Sequence, residues 1–273
     1  MQKSLASFFT VQSPLEQFRG DVASQRGEDG IIEQIMKILD PPIKYCVEFG
    51  AWDGKSFSNC FNLLANQGWA GLMLESDPGK FRELVKTYSE NERVAVANKF
   101  VQFDGPDGLD HILADAGVPK SFGLLSIDVD GCDYYIWETL ENFTPELVIV
   151  EFNPTIPNDV VFVQEKTFDV NHGCSLLALV LLGKKKGYEL AVCTDFNAFF
   201  VKAENLGRLG VTNNFISNLY KPVLDGRIFQ GYDGTIHVVG MNRLFWQGGA
   251  RLGSEDFQVL PKSMRVWKDA QKR

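Results

Sequence analysis

The sequence predicts a doubly wound α/β domain, with a mostly parallel sheet covered on both faces and an antiparallel hairpin at its C-terminal end. Two observations lead there. From residue 45 to 153, short apolar runs alternate with amphipathic stretches, which is the rhythm of βαβ crossovers around a buried parallel sheet. After residue 153 two β-rich runs flank Thr194-Asp195-Phe196-Asn197, which reads as a hairpin turn. Bulk composition agrees: 273 residues with 45% hydrophobic and 23% charged side chains can bury a large core.

The elements follow in order. Residues 1–23 carry no strong period and read as an N-terminal arm. The stretch SQRGEDGIIEQIMKILDPP opens with Ser/Gly/Asp punctuation, repeats apolar residues at Ile31, Ile32, Ile35, Met36, Ile38 and Leu39, and stops at proline, so it reads as a helix. YCVEF (45–49) is the first strand and SNCFNLLANQG a helix ended by Gly68. AGLMLES (70–76) and PGKFRELVKTYSE form the second strand and helix. RVAVANKFVQF (93–103), GLDHILADAG, FGLLSIDVD (122–130), YYIWETLENF and ELVIVEFN (146–153) continue the alternation. A proline-bearing loop, the helix CSLLALVLLGKKKG and the hairpin complete a domain over residues 24–204. Residues 205–273 are glycine-rich and irregular, and are expected to form a lid or an oligomer contact.

A net charge of −8 and a pI near 5.0 argue against non-specific binding to nucleic acid or an anionic membrane, both of which need clustered Lys and Arg. Lys184-Lys185-Lys186 reads as the last turn of a helix, where cations complement the dipole. The five cysteines are odd in number and widely spaced, which suits reduced core thiols rather than disulfides or zinc. With no stretch of ~18 apolar residues and no leader pattern, the expectation is a soluble cytoplasmic protein.

In an open parallel sheet ligands bind beyond the carboxyl ends of the strands. Those ends carry Glu48, Gly50, Asp53 and Gly54; Glu75, Ser76 and Asp77; Asn98 and Asp104; Asp128, Asp130 and Asp133; Glu151 and Asn153. The first glycine turn is Gly-x-x-x-Gly, short of the dinucleotide fingerprint and without Gly-Lys-Ser/Thr. Glu48 and Asp53 beside it would repel a pyrophosphate. The ligand expected there is positively charged. Glu75, 27 positions after Glu48, stands where an acidic side chain holds both ribose hydroxyls in such folds. A cation with a ribose and no phosphate describes S-adenosylmethionine.

The stretches SQRGEDGIIEQI, VEFGAWDGKSFSN, GWAGLMLESD, LLSIDVDGCDYYIWETL, VIVEFN and GCSLLALVLLGKKKGYEL…NAFFV, over roughly residues 24 to 202, resemble class I S-adenosylmethionine-dependent methyltransferases of the FkbM type. The resemblance implies a Rossmann-like sheet and O-methylation of a sugar, glycan or natural product. It matches Glu48, Gly50 and Asp53 to the cofactor motif and Glu75 to the ribose-binding acid; Ala51, Gly54, Ser58, Asn59, Ser76, Asp104 and Asp128 are further cofactor-binding candidates. The chain departs from that family with Asp130 where it usually has glutamate, and with the continuation Asp133, Tyr134, Tyr135, Trp137.

SIDVDGCDYY does not keep the EF-hand spacing, and an aspartyl-phosphate role would place this motif after the first strand rather than the fourth. Two options stay open for the acceptor's proton. Asp128 or Asp130 accepts it, with His172 as the other candidate base. Alternatively Asp128, Glu151 and Asn153 hold Mg²⁺, which acidifies the acceptor hydroxyl. Rival classes are a nicotinamide-dependent oxidoreductase and a non-catalytic cofactor-binding module. A small-molecule or glycan acceptor is the expected partner, with a homodimer contact through the tail also compatible.

Overall fold

The computed structural model describes residues 13–222, 226–244 and 248–266. The chain divides into two compact units, Met1–Lys221 and Pro222–Arg273. In the first, the strands are β1 (Tyr45–Phe49), β2 (Ala70–Glu75), β3 (Val94–Asn98), β4 (Leu124–Ile127), β5 (Leu147–Glu151), β6 (Tyr188–Cys193) and β7 (Asn197–Lys202). The helices are α1 (Glu28–Leu39), α2 (Phe61–Asn66), α3 (Pro78–Thr87), α4 (Leu109–Asp115), α5 (Asp133–Thr139), α6 (Leu176–Lys185) and α7 (Ile216–Leu219).

The seven strands form one sheet in the order β3-β2-β1-β4-β5-β7-β6. β1 to β5 pair in parallel, while β7 runs antiparallel to both β5 and β6. The hairpin expected over 188–202 forms, yet only β7 opposes the rest. β5 continues through α6 to β6, leaving one place in the sheet, and β7 turns back into it. β6 therefore runs parallel to the first five strands.

The central strands read as continuous apolar runs because both faces are covered. Adjacent residues still divide between the two cores: Phe200 packs with Trp137, Phe122 and Leu179 on one face, and Phe199 with Ile31, Ile35 and Leu63 on the other. Helix α1 buries Ile31, Ile32, Ile35, Met36 and Leu39 against the second core and ends at Asp40, which adopts φ 43° before two prolines. All five cysteines are free and buried. The expected N-terminal arm is described only from Ser13, and from there Leu15 is buried against the same core. Leu209, Val211, Leu219 and Tyr220 are also buried, which carries the first unit past residue 204 to Lys221.

The second unit contains the antiparallel hairpin of β8 (Gly226–Gln230) and β9 (Ile236–Gly240), and the short pair β10 (Arg243–Leu244) and β11 (Ala250–Arg251). Among the described residues no helix is long and apolar enough to cross a membrane.

Candidate active site

Strand order reverses between β1 and β4, whose chains leave the sheet on opposite sides, and a crevice opens beyond their carboxyl ends. It holds a cavity of about 620 Å³. The floor is built at the end of β1. Glu48 is only 4% exposed and accepts hydrogen bonds from Ser58 Oγ at 2.5 Å and the Asn59 N–H at 2.7 Å. Burial pushes its carboxyl up to about 7, against the pull of those two donors. Asn59 Nδ2 donates in turn to Ser126 Oγ at 3.0 Å, while its buried Oδ1 has no partner.

Gly50 follows with φ 65°, and a Cβ there would lie 2.0 Å from the Asp128 carbonyl oxygen. Only glycine lets the two strand ends close on each other in this way. On β2, Glu75 Oε2 accepts from the Trp52 N–H at 2.8 Å and Oε1 from the Asp77 N–H at 2.7 Å. Each oxygen keeps a second lone pair for a ligand hydroxyl. Its carboxylate is thus aimed before any ligand arrives.

Asp128, Asp130 and Glu151 each offer an oxygen, and the three oxygens lie within 4.8 Å of one another. Asp128 opens to the cavity on one side and is enclosed by protein on the others. That enclosure raises its carboxyl, and the charges of Asp133 and Asp130 raise it further. Glu151 is raised by desolvation and then by Asp128. Asp133, 2% exposed, is a staple rather than a cavity group: it accepts from the Val129 and Gly131 N–H groups and fixes the turn that carries the other two aspartates.

Of the residues expected from sequence, Glu48, Gly50, Ala51, Ser58, Asn59, Glu75, Ser76, Asp128, Asp130 and Glu151 line this cavity. Five do not. Asp53 accepts from the Lys55 and Ser56 N–H groups and the Ser56 hydroxyl, closing its own turn. Burial would raise its carboxyl, but these bonds outweigh that and hold it below its ordinary value. Gly54 packs against Leu84 and Tyr88, away from the crevice. Asp104 is exposed before the 3₁₀ turn Gly105–Asp107. Asn153 spends its amide on the His172 carbonyl and its oxygen on Thr155, so it is turned away from the carboxylates. His172 meets its neighbours through its backbone, its N–H donating to Gln164 Oε1 at 2.8 Å, and its side chain is exposed outside the cavity.

The cavity also has walls that strand-end reasoning does not reach. Trp52 and Phe57 are 50% and 60% exposed at its rim, both with positive φ, and Phe100 meets Phe168 edge-on at 4.7 Å. Lys80 stands beside them, 3.1 Å from Glu83 and 4.7 Å from the Trp52 ring, and Lys99 pairs with Asp107 at 2.9 Å. Gln25 and Asn197 close the opposite end. Trp52 falls inside the first glycine turn and Phe57 three residues beyond it, and that placement was the available signal. Gln25 and Phe168 come from segments remote in sequence, and nothing local marks them.

No family model matches the sequence, and no curated protein does. Several solved structures are similar in fold. An S-adenosylmethionine-dependent methyltransferase from Clostridium acetobutylicum is 9% identical with TM-score 0.43, covering 66% of this chain and 92% of that one. A Podospora anserina methyltransferase bound to S-adenosylhomocysteine is 17% identical with TM-score 0.42, covering 66% and 79%. A SAM-dependent methyltransferase from Aquifex aeolicus is 11% identical with TM-score 0.35, covering 63% and 89%. These are remote likenesses of fold.

Proposed function

We propose that the chain transfers a methyl group from S-adenosylmethionine to a hydroxyl oxygen of a sugar, glycan or natural-product-type acceptor. The observation that carries this reading is the charge of the cavity. Glu48, Glu75, Asp128, Asp130 and Glu151 line it at the strand ends, while Lys80 and Lys99 are already paired with Glu83 and Asp107. A pyrophosphate is repelled by such a floor and a cationic nucleoside attracted. The same argument disfavours a nicotinamide dinucleotide.

S-adenosylmethionine supplies an electrophilic methyl on a positively charged sulfur, so no covalent enzyme intermediate is needed. Glu75 holds the ribose hydroxyls, and Glu48 faces the ammonium end. The chain then contributes alignment, which removes the entropy of a bimolecular encounter. Asp128 or Glu151 takes the acceptor hydroxyl proton; desolvation and the neighbouring carboxylates raise both, so each is a stronger proton acceptor than an ordinary carboxylate once the cationic cofactor favours its ionised form. Asp128, Asp130 and Glu151 are also an all-oxygen set of the kind Mg²⁺ accepts, where the ion would acidify that hydroxyl.

The test is ligand linkage followed by turnover. S-adenosylhomocysteine should raise the melting temperature and NAD should not, and Glu75→Ala should weaken the first effect. Labelled methyl groups should then appear on members of a panel of hydroxylated metabolites. Stabilisation by NAD alone, or cofactor affinity untouched in Glu75→Ala, overturns the reading. Tight binding with no transfer to any panel member would leave a cofactor-binding module.

A further inference from the structure

We propose that Gln25 binds the carboxylate of the cofactor's amino-acid end, presented to the cavity by an N-terminal strap that Asp29 holds in shape. The inference rests on the functional reading above and names a contact that strand-end reasoning cannot supply.

The strap runs from Arg19 to Gly30. Asp29, 1% exposed, accepts on a single oxygen from the N–H groups of Val22, Ala23 and Ser24 at 2.7–2.8 Å and from Ser24 Oγ at 2.7 Å. Ser24 Oγ accepts from the Asp29 N–H at 2.8 Å, which closes the ring. Gly30 seals the base, since a Cβ there would lie 2.0 Å from the Phe18 carbonyl oxygen.

The strap is fastened on two sides. The Ala23 carbonyl accepts from the Phe57 N–H at 2.8 Å, in the loop after β1. Glu28 Oε1 accepts from Thr194 Oγ1 and Asn197 Nδ2, both at 2.7 Å, and Arg26 pairs with Asp195 at 3.4 Å, which ties the strap to the β6–β7 turn and the first residue of β7. Gln25 is therefore held at the β1/β4 side of the crevice, where it lines the cavity.

That end lacks a partner for an anion. With the ribose at Glu75 on β2, the amino-acid end points across β1 toward β4, away from Lys80 and Lys99. The charged side chains that meet it are Glu48, Asp128, Asp130 and Glu151. They suit the ammonium and repel the carboxylate. Neutral donors remain, but Asn59 Nδ2 already gives one of its two hydrogens to Ser126 and Asn197 Nδ2 one to Glu28. Among the described lining residues at this end, the Gln25 carboxamide is the side-chain N–H donor that no protein acceptor occupies. Being uncharged, it can meet a carboxylate without neutralising the floor that holds the ammonium.

The experiment is calorimetric binding of S-adenosylhomocysteine and of its decarboxylated analogue, which keeps the ammonium. The unaltered protein should prefer S-adenosylhomocysteine by about 10- to 100-fold, the range of a hydrogen bond to a charged group. Gln25→Ala should erase that preference while holding the analogue within about 2-fold, and Gln25→Glu should reverse it. Gln25 is exposed, so both variants should melt with the parent. Equal losses for the two ligands, or a preference that survives in Gln25→Ala, overturn the assignment. Failure of the unaltered protein to bind either ligand overturns instead the functional reading, and this inference with it.

Discussion

Replacing Glu48 with glutamine should make the protein more stable above neutral pH and less able to hold its ligand. The carboxyl is buried at the end of β1 and raised from 4.5 to about 7 in the folded state. An acid whose folded value is the higher one keeps its proton longer in the native state. The contribution of this carboxyl is therefore most favourable below pH 4.5, falls as pH rises between 4.5 and 7, and carries the full penalty above that. The rise from 4.5 to about 7 corresponds to about 3 kcal/mol. A carboxamide cannot ionise, so the variant escapes this penalty. It keeps an acceptor for the Asn59 N–H but presents a second donor to Ser58, which costs about 1 kcal/mol. The net expectation is a gain of about 2 kcal/mol at pH 8 and a loss of about 1 kcal/mol at pH 4.5. Urea unfolding of both proteins at the two pH values measures it. Glu151, Asp133 and Glu28 are raised too, by causes that do not include Glu48, so their contribution cancels in the difference between variant and parent, whereas Asp128, raised in part by the Glu48 charge, relaxes in the variant and adds to its gain above neutral pH. Parallel pH profiles would show that Glu48 does not carry this buried charge. In the same variant, affinity for S-adenosylhomocysteine at pH 8 should fall about 10-fold or more, since an ionised partner for the ammonium is gone.

Gly50→Ala should lose about 1–3 kcal/mol in chemical unfolding and most of its cofactor affinity, because the added methyl meets the Asp128 carbonyl in a backbone with positive φ. An unchanged melting temperature would refute that close approach. Trp137→Ala should cost about 3–5 kcal/mol without selectively changing ligand affinity, because the ring is fully buried against Tyr188 and Phe200. Transfer activity should survive EDTA, the carboxylates themselves receiving the proton; loss with EDTA and recovery with Mg²⁺ would make Asp128, Asp130 and Glu151 a metal centre instead.

Much of this site is legible along the chain because the fold converts strand ends into one place. Glu48, Glu75, Asp128 and Glu151 each close an apolar run, and parallel pairing of β1 with β2 and β4, and of β4 with β5, brings them to a common edge. What pattern reasoning lacks is direction. Asp53 follows Glu48 by five residues, yet the glycine turn bends it outward, where nearby N–H groups offer stronger partners than an open crevice. Asn153 follows Glu151 by two, and the loop beyond β5 engages it before the cavity can. Short polar side chains past a strand end take the first backbone partner within reach.

The opposite error concerns residues that arrive from far away. β7 reaches Glu151 only by turning back between β5 and β6, and that register puts Asn197 beside the carboxylates. Asn197 then holds Glu28, which anchors the strap that carries Gln25. Each step is an ordinary hydrogen bond, but the chain of them spans positions 25 to 197, and no period or spacing in the sequence encodes it. The acidic floor is thus a product of strand ends, readable locally, while the neutral donor that lets it accept a zwitterion is a product of tertiary closure. A ligand bearing both charges needs both, which is why the decarboxylated analogue separates them.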